Sequence, residues 1–261
     1  MNLKPLFVSL GTLLAAFCYY RISPPQEPLE FVSDDFTLSM QGNRSIENFP
    51  KSKKQLWGIF QGMEFTFYCH CPYQGTQVDI HACGYEPLNA SDPRAYQVEW
   101  EHIVPAYAFG KSFKSWREGH PLCKSKEGKS FKGRKCAQKT SELFNHIEAD
   151  MYNLVPAIGE TNRVRSNLDY GVLSAASKFR FGACAFKTDG YVVEPEEGIR
   201  GFIARTYKYM DYAYKGRGII SNKNLKLFDA WDKMHPPTRD EIIRAKRIAN
   251  VQGNSNPFVA R

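Results

Sequence analysis

The sequence predicts an α+β fold, on three observations. Strand-like alternation is concentrated before about residue 105, helical periodicity dominates the later part, and there is no internal repeat, heptad run or glycine-rich phosphate loop. A chain of 261 residues with 43% hydrophobic and 14% aromatic content is long enough to bury a substantial core and is not composed like a disordered one.

Taken in order, residues 1–20, "MNLKPLFVSLGTLLAAFCYY", have one lysine and then an apolar run, the pattern of a signal peptide or a short N-terminal anchor. Residues 21–44 are Pro-rich and mixed, an N-terminal arm, and 45–261 are expected to form a single domain. Apolar residues at Ile46, Phe49, Leu56, Ile59 and Phe60 suggest a helix over 45–60 that Pro50 interrupts early. "MEFTFYCHC" (63–71) alternates as a strand does, and "TQVDIHACGYEP" (76–87) suggests a second strand turning at Gly84. Turn residues at 89–97 lead into "VEWEHIVPA" (98–106), whose alternation of Val98, Glu99, Trp100 and Glu101 marks a half-buried strand. "KTSELFNHIEADM" (139–151) is helical with Thr140 or Ser141 as cap, and in "GETNRVRSNLDYG" (159–171) a helix begins after Gly159, with Thr161 as candidate cap, and ends before Gly171. Helices are also expected over 199–215, 224–237 and 238–252, the first with Ile199, Phe202, Ile203, Thr206, Tyr207 and Met210 on one stripe.

The charge is uneven. Residues 111–139 hold ten lysines and arginines against Glu118 and Glu127, an excess equal to the formal charge of +8 for the whole chain. Glycines and serines within 125–133 make the middle of this segment a loop. It is either a solvated insertion or, with Phe113, Trp116 and Phe131 interleaved, a surface for nucleic acid, where cations meet phosphates and rings stack on bases. Lys124, Lys126, Lys129, Lys132 and Lys135 are the candidate contacts there, with Arg165 further on.

Seven cysteines are present, and Cys18 lies in the leader-like segment. The other six, Cys69, Cys71, Cys83, Cys123, Cys136 and Cys184, suggest three disulfides of an exported protein, with about 15 connectivities open. Cys123–Cys136 is favoured because it would close the basic loop. A zinc site built from "CHC" (69–71) and "HAC" (81–83) is the rival reading, although the spacing matches no common finger.

The chemistry is expected where "EWEHIVPA" meets "ADMYNLVPAIGETNRVRSN" (149–167). Cleaving a phosphodiester needs a base for water and positive charge for the phosphorane and leaving oxygen. His102, titrating near pH ~6.5 if unperturbed, suits the base. Glu101 and Asn162 offer the oxygen ligands that magnesium prefers, and Asn162 falls near the start of its helix. Neighbouring residues of a regular strand face opposite ways, so Glu101 and His102 are expected to converge through a break before Pro105. The plainer readings are a structural histidine at 102, a helix cap at Asn162, and Glu99 as a solvent-facing or supporting acid.

"EWEHIVPA", "GRKCA" (133–137), "DMYNLVPAIGETN" (150–162) and the terminal "VQGNSNPFV" (251–259) together resemble the bacterial periplasmic or secreted endonuclease I family, from about residue 45 to the C-terminus. The resemblance implies a ββα-metal motif, a hairpin and a helix gripping one ion, among small mixed sheets with a largely helical C-terminal half. It implies a nuclease without sequence specificity, acting on DNA and also RNA, leaving 5′-phosphate ends, and using Mg2+ or another divalent ion such as Mn2+ or Ca2+. Carried over by position, His102 is the general base, Glu101 and Asn162 are metal ligands, and Arg134 stabilises the phosphorane, unless it is one more cation of the loop. Asn153 orients the histidine through the hairpin loop, and Glu148 is an acid beside the site. The segment between "EWEHIVPA" and "GRKCA" is longer and richer in lysine than the family pattern, and a C-terminal cysteine pair of some relatives is absent. The expected protein is a periplasmic or secreted monomer, touching a membrane only if residues 1–20 are retained. The alternative is a secreted basic DNA-binding or DNA-uptake protein with an idle nuclease site.

Overall fold

The structure is a computed structural model that describes residues 41–174 and 179–259. The leader-like segment and most of the predicted arm lie outside the described residues. No helix among the described residues is long and apolar enough to cross a membrane.

The chain enters at Asn43, which is buried and donates to the carbonyls of Ile46 (2.7 Å) and His146 (2.9 Å). Helix α1 (Phe49–Ile59) follows, capped by Asn48. Pro50 does not interrupt it, because in the first turn proline has no intrahelical hydrogen bond to lose. Strand β1 (Tyr73–Gln74) pairs with β2 (Gln77–Val78). Both strands predicted before residue 90 are otherwise replaced by turns. Over 63–71, disulfides from Cys69 and Cys71 and a left-handed His70 (φ 52°) curl the chain, leaving one bridge between Phe65 and Pro72. The second reading keeps Gln77–Val78 and the turn at Gly84 (φ 64°).

Strand β3 (Val98–His102) is followed by two short helices, α2 (Ala106–Gly110) and α3 (Lys114–Arg117). The basic loop then leads into α4 (Arg134–Thr140) and α5 (Glu142–Glu148), the latter capped by Ser141. Strand β4 (Leu154–Ile158) runs antiparallel to β3 with Val98 opposite Ile158 and His102 opposite Leu154. Helix α6 (Gly159–Arg165) starts on the next residue. Thr161 does not cap it, since its hydroxyl donates to the Ile158 carbonyl (2.8 Å), and Ser166 (φ 50°) ends it earlier than predicted. β3, β4 and α6 thus form the expected hairpin and helix.

A four-stranded sheet that the sequence reading missed comes next: β5 (Asp169–Tyr170), β6 (Phe179–Phe181), β7 (Cys184–Thr188) and β8 (Val192–Glu194), in the order β5-β8-β7-β6. Its strands are two to five residues long, too short for alternation to stand out. Helices α7 (Arg200–Ala213), α8 (Asn222–Met234) and α9 (Arg239–Gln252) complete the α+β architecture.

Buried polar ties hold this helical half together and join it to the hairpin. Arg205 of α7 bonds Asp232 (3.1 Å) and, through both nitrogens of its fork, Glu241 (2.7 and 2.6 Å). Arg244 of α9 donates to the carbonyls of Met151, Tyr152 and Leu154, anchoring the start of β4. Asp150, fully buried, accepts from Tyr209, Tyr214 and Gln252. These bonds satisfy groups that would be costly to bury alone, and they fix the hairpin against the core.

Candidate active site

A cleft of about 790 Å³ runs along β3, lined by Glu99, Glu101, His102, Arg134 and Asn162 among others. Sequence reasoning required a break for Glu101 and His102 to share one space. The strand instead continues through His102. All five residues of β3 line the cleft. Among the described residues β3 forms a ladder with β4 alone, and its other edge is bridged only at the start, where Val98 N–H donates to the Thr76 carbonyl (2.9 Å).

His102 is 7% exposed, with its ring centroid 4.7 Å from that of Phe49. Its Nε2 lies 2.8 Å from the Glu148 carbonyl oxygen. A carbonyl only accepts, so Nε2 carries the proton and Nδ1 keeps its lone pair. Burial, and then the Arg134 charge, push the imidazole pKa down to about 3, against the pull of the Glu148 carbonyl. The ring is neutral at any ordinary working pH. Asn153 fixes the chain beyond it: its amide accepts from Val104 N (2.7 Å) and donates to Val104 O (2.9 Å), and its carbonyl takes the Ile103 N–H (3.0 Å).

Arg134 is the first residue of α4, and its Nε donates to the Glu148 carboxylate, which is 1% exposed. Gln138 Nε2 donates to both Glu148 oxygens (3.0 and 2.8 Å). Glu148 therefore holds Arg134 by one nitrogen, and the rest of the guanidinium remains for a ligand. The Arg134 side chain is 42% exposed.

Glu101 is 4% exposed, and its Oε1 accepts from Tyr68 Oη (2.9 Å) and Arg165 (3.1 Å). Burial raises its pKa despite the opposing pull of Arg165 and Tyr68. Asn162, in the first turns of α6, donates Nδ2 to Glu99 Oε2 (2.8 Å). Glu99 is clamped by Arg94, Nε and NH2 each donating at 2.7 Å. Glu101 and Asn162 both line the cleft, and a carboxylate and an amide oxygen are the donor chemistry a hard divalent ion accepts.

Arg165 departs from expectation. It lines the cleft yet is fully buried, donating to Glu101, to the His102 carbonyl (2.7 Å) and to the Ile103 carbonyl (2.5 Å), so these donors are committed to the strand rather than offered to a phosphate. Lys124, Lys126, Lys129, Lys132 and Lys135 are exposed. None of these five lines the main cleft; Lys124 and Lys132 border a separate groove of about 530 Å³. The sequence reading also missed Tyr68 and Arg94, which hold Glu101 and Glu99; neither carries a local motif.

The six cysteines form Cys69–Cys184, Cys71–Cys83 and Cys123–Cys136. The zinc reading fails, because the cysteines of "CHC" and "HAC" are spent on disulfides. Cys123–Cys136 closes the basic loop two residues from Arg134, as expected.

The endonuclease I family model matches residues 51–261. The chain belongs to the endonuclease I family. An extracellular deoxyribonuclease of Aeromonas hydrophila is 39% identical over 222 residues, covering 82% of this chain and 90% of that protein. Endonuclease-1 of Buchnera aphidicola subsp. Acyrthosiphon pisum (strain APS) is likewise 39% identical, covering 83% of this chain and 82% of its own length. A periplasmic deoxyribonuclease of A. hydrophila is 37% identical over 225 residues, 84% of this chain and 87% of that protein. This member of the endonuclease I family is an endonuclease, and the cleft along β3 is its candidate active site.

Proposed function

We propose that this chain is an exported, divalent-metal-dependent endonuclease that hydrolyses DNA, and RNA as well, without sequence specificity and leaves 5′-phosphate ends. The observation that carries this is a buried neutral histidine, its Nδ1 unprotonated, lining one cleft with Arg134, Glu101 and Asn162. Export accords with three disulfides and with relatives named extracellular and periplasmic deoxyribonucleases.

In this reading His102 Nδ1 takes a proton from water as the water oxygen attacks phosphorus. The P–O3′ bond breaks, the 3′ oxygen acquires a proton from solvent, and the phosphate stays on the 5′ side. General-base help of this kind contributes roughly 10²–10⁴-fold. Arg134, steadied by Glu148, donates to the phosphoryl oxygens as charge builds on them. Asn153 keeps the loop after β3 in register and with it the histidine. Glu101 and Asn162 would hold the ion, Mg2+ or else Mn2+ or Ca2+, which when bound supplies Lewis-acid stabilisation of the phosphate and the leaving oxygen. Two protein ligands leave most positions to water, as magnesium prefers. The lysines of the basic loop bind flanking phosphates, and the working unit is a monomer spanning 45–261.

Digestion of supercoiled plasmid and of RNA, with magnesium or with EDTA, tests the reading. EDTA-sensitive cleavage lost in His102→Ala, with DNA binding retained, is the expected result. Binding without nicking by the unaltered protein would overturn it and favour an idle site.

A further inference from the structure

Arg94 and Glu99 have no part in the chemistry above, yet Glu99 is the only described residue that bonds the Asn162 side chain. An asparagine amide has two ends of nearly the same shape, an oxygen that accepts and an NH2 that donates. Only the oxygen can ligate a hard cation. A half-turn about the last side-chain bond exchanges them, so a ligand of this kind is competent only if something fixes its orientation. Here the carboxylate of Glu99 fixes it. Carboxylate oxygens accept, so the NH2 end must face Glu99 Oε2, at 2.8 Å, and Oδ1 faces away.

The carboxylate is itself held. Arg94 grips it with both arms of a bidentate fork, Nε to Oε1 and NH2 to Oε2, each 2.7 Å. Helix α6 closes directly onto the pair because residue 159 is glycine: a Cβ there would lie 2.7 Å from Glu99 Oε1 and 2.9 Å from the Arg94 carbonyl oxygen. Three segments meet at this point, the 3-10 turn Pro93–Tyr96, β3 and α6.

We infer that the Arg94–Glu99 pair is a positioning device that sets the handedness of the Asn162 amide, presenting oxygen rather than nitrogen to a divalent ion. The inference rests on Asn162 being a metal ligand, as proposed above. Glu99 is a positioning residue and does not touch the reacting atoms. The pair is about one-third exposed (Arg94 38%, Glu99 32%), so its removal should not unfold the protein.

The test is a double-mutant cycle read by calorimetric titration of the metal-free protein with Mn2+ alone, with melting temperature as a control on folding. Glu99→Ala is made with Asn162 intact and again in Asn162→Asp, whose side chain offers oxygen at both ends and has no wrong orientation. With Asn162 intact, Glu99→Ala is expected to weaken Mn2+ binding about 10–100-fold, the usual effect of losing a partner behind a ligand. In the Asn162→Asp background it should cause no loss. An equal loss in both backgrounds would mean that Glu99 acts through net charge or the fold, and no loss in either would mean that the amide needs no guide; each overturns the inference. Asn162→Ala is titrated in parallel. If it binds Mn2+ as the unaltered protein does, the assignment of Asn162 as a ligand falls instead.

Discussion

Replacing Arg165 by methionine, a side chain of similar length without charge, separates two roles for this residue. The guanidinium is fully buried and donates to the Glu101 carboxylate and the carbonyls of His102 and Ile103. Removing one partner of a buried ion pair costs about 3–5 kcal/mol, because the other charge is left uncompensated. Each orphaned carbonyl adds about 1–3 kcal/mol. Protonation of Glu101 would recover part of this, so a net loss of about 5 kcal/mol is expected. For a protein of this size that is a fall of about 10–20 °C in melting temperature. Urea unfolding without reductant measures the loss, and Mn2+ titration follows Glu101. A phosphate contact behaves oppositely: the melting temperature stays, KM rises, and the dependence of binding on salt loses about one unit of slope. A fall of under about 3 °C with that salt signature would refute the structural role assigned to Arg165.

Stability should fall with acid through His102. Its folded pKa of about 3 lies below the unfolded value near ~6.5, so protons favour the unfolded chain, and the contribution present above pH ~6.5 is lost as pH falls toward 3. The loss is about 2 kcal/mol by pH 5, read as a shift in the urea midpoint of the metal-free protein that His102→Asn abolishes. Asn153→Ala leaves the buried Val104 N–H and carbonyl without their partners, and should cost about 1–3 kcal/mol and slow cleavage without altering Mn2+ affinity. Lys124→Gln with Lys132→Gln should raise KM for DNA at unchanged kcat and lower the salt slope by about two units. Losing Cys123–Cys136 to serines should cost about 2–4 kcal/mol by urea unfolding.

The hairpin and the C-terminal helices were legible because each carries a periodic face against a core. Val98 and Trp100 alternate with Glu99 and Glu101, and Ile203, Tyr207 and Met210 recur at helical spacing; all five apolar residues are buried. The expected half-buried strand is nonetheless buried on both faces, with only Glu99 partly open, because Tyr68 and Arg165 cover Glu101. Residues 63–71 show the limit of that logic. Tyr68, Cys69 and Cys71 are buried there, yet two disulfides set the chain path, and their partners at Cys83 and Cys184 leave no local mark. The sheet of β5 to β8 escaped for another reason. Its pairings are tertiary, including the parallel pair β5–β8 across more than twenty residues, and none of its strands exceeds five residues.

The site divides along the same line. Residues facing the cleft stand in short motifs that a reader can find: Glu101-His102, the Arg134 of "GRKC", Asn162 at the head of a helix. The residues behind them come from wherever the fold passes. Tyr68 reaches Glu101 from the disulfide-bound turn and Arg94 holds Glu99 from a 3-10 turn. Glu148, which meets Arg134 from the next helix, was placed beside the site only by the family resemblance. Arg165 makes the point most sharply. In sequence it is a cation three residues after Asn162, in a basic chain, and charge alone assigns it to phosphate. In the fold it lies beneath the strand, where its planar fork meets a carboxylate and two carbonyls at once. A lysine has no such fork, so an Arg165→Lys change keeps the charge and still leaves acceptors unpaired. Shape as well as charge is what this position requires, and that requirement comes into view only when Glu101, His102 and Ile103 are seen together.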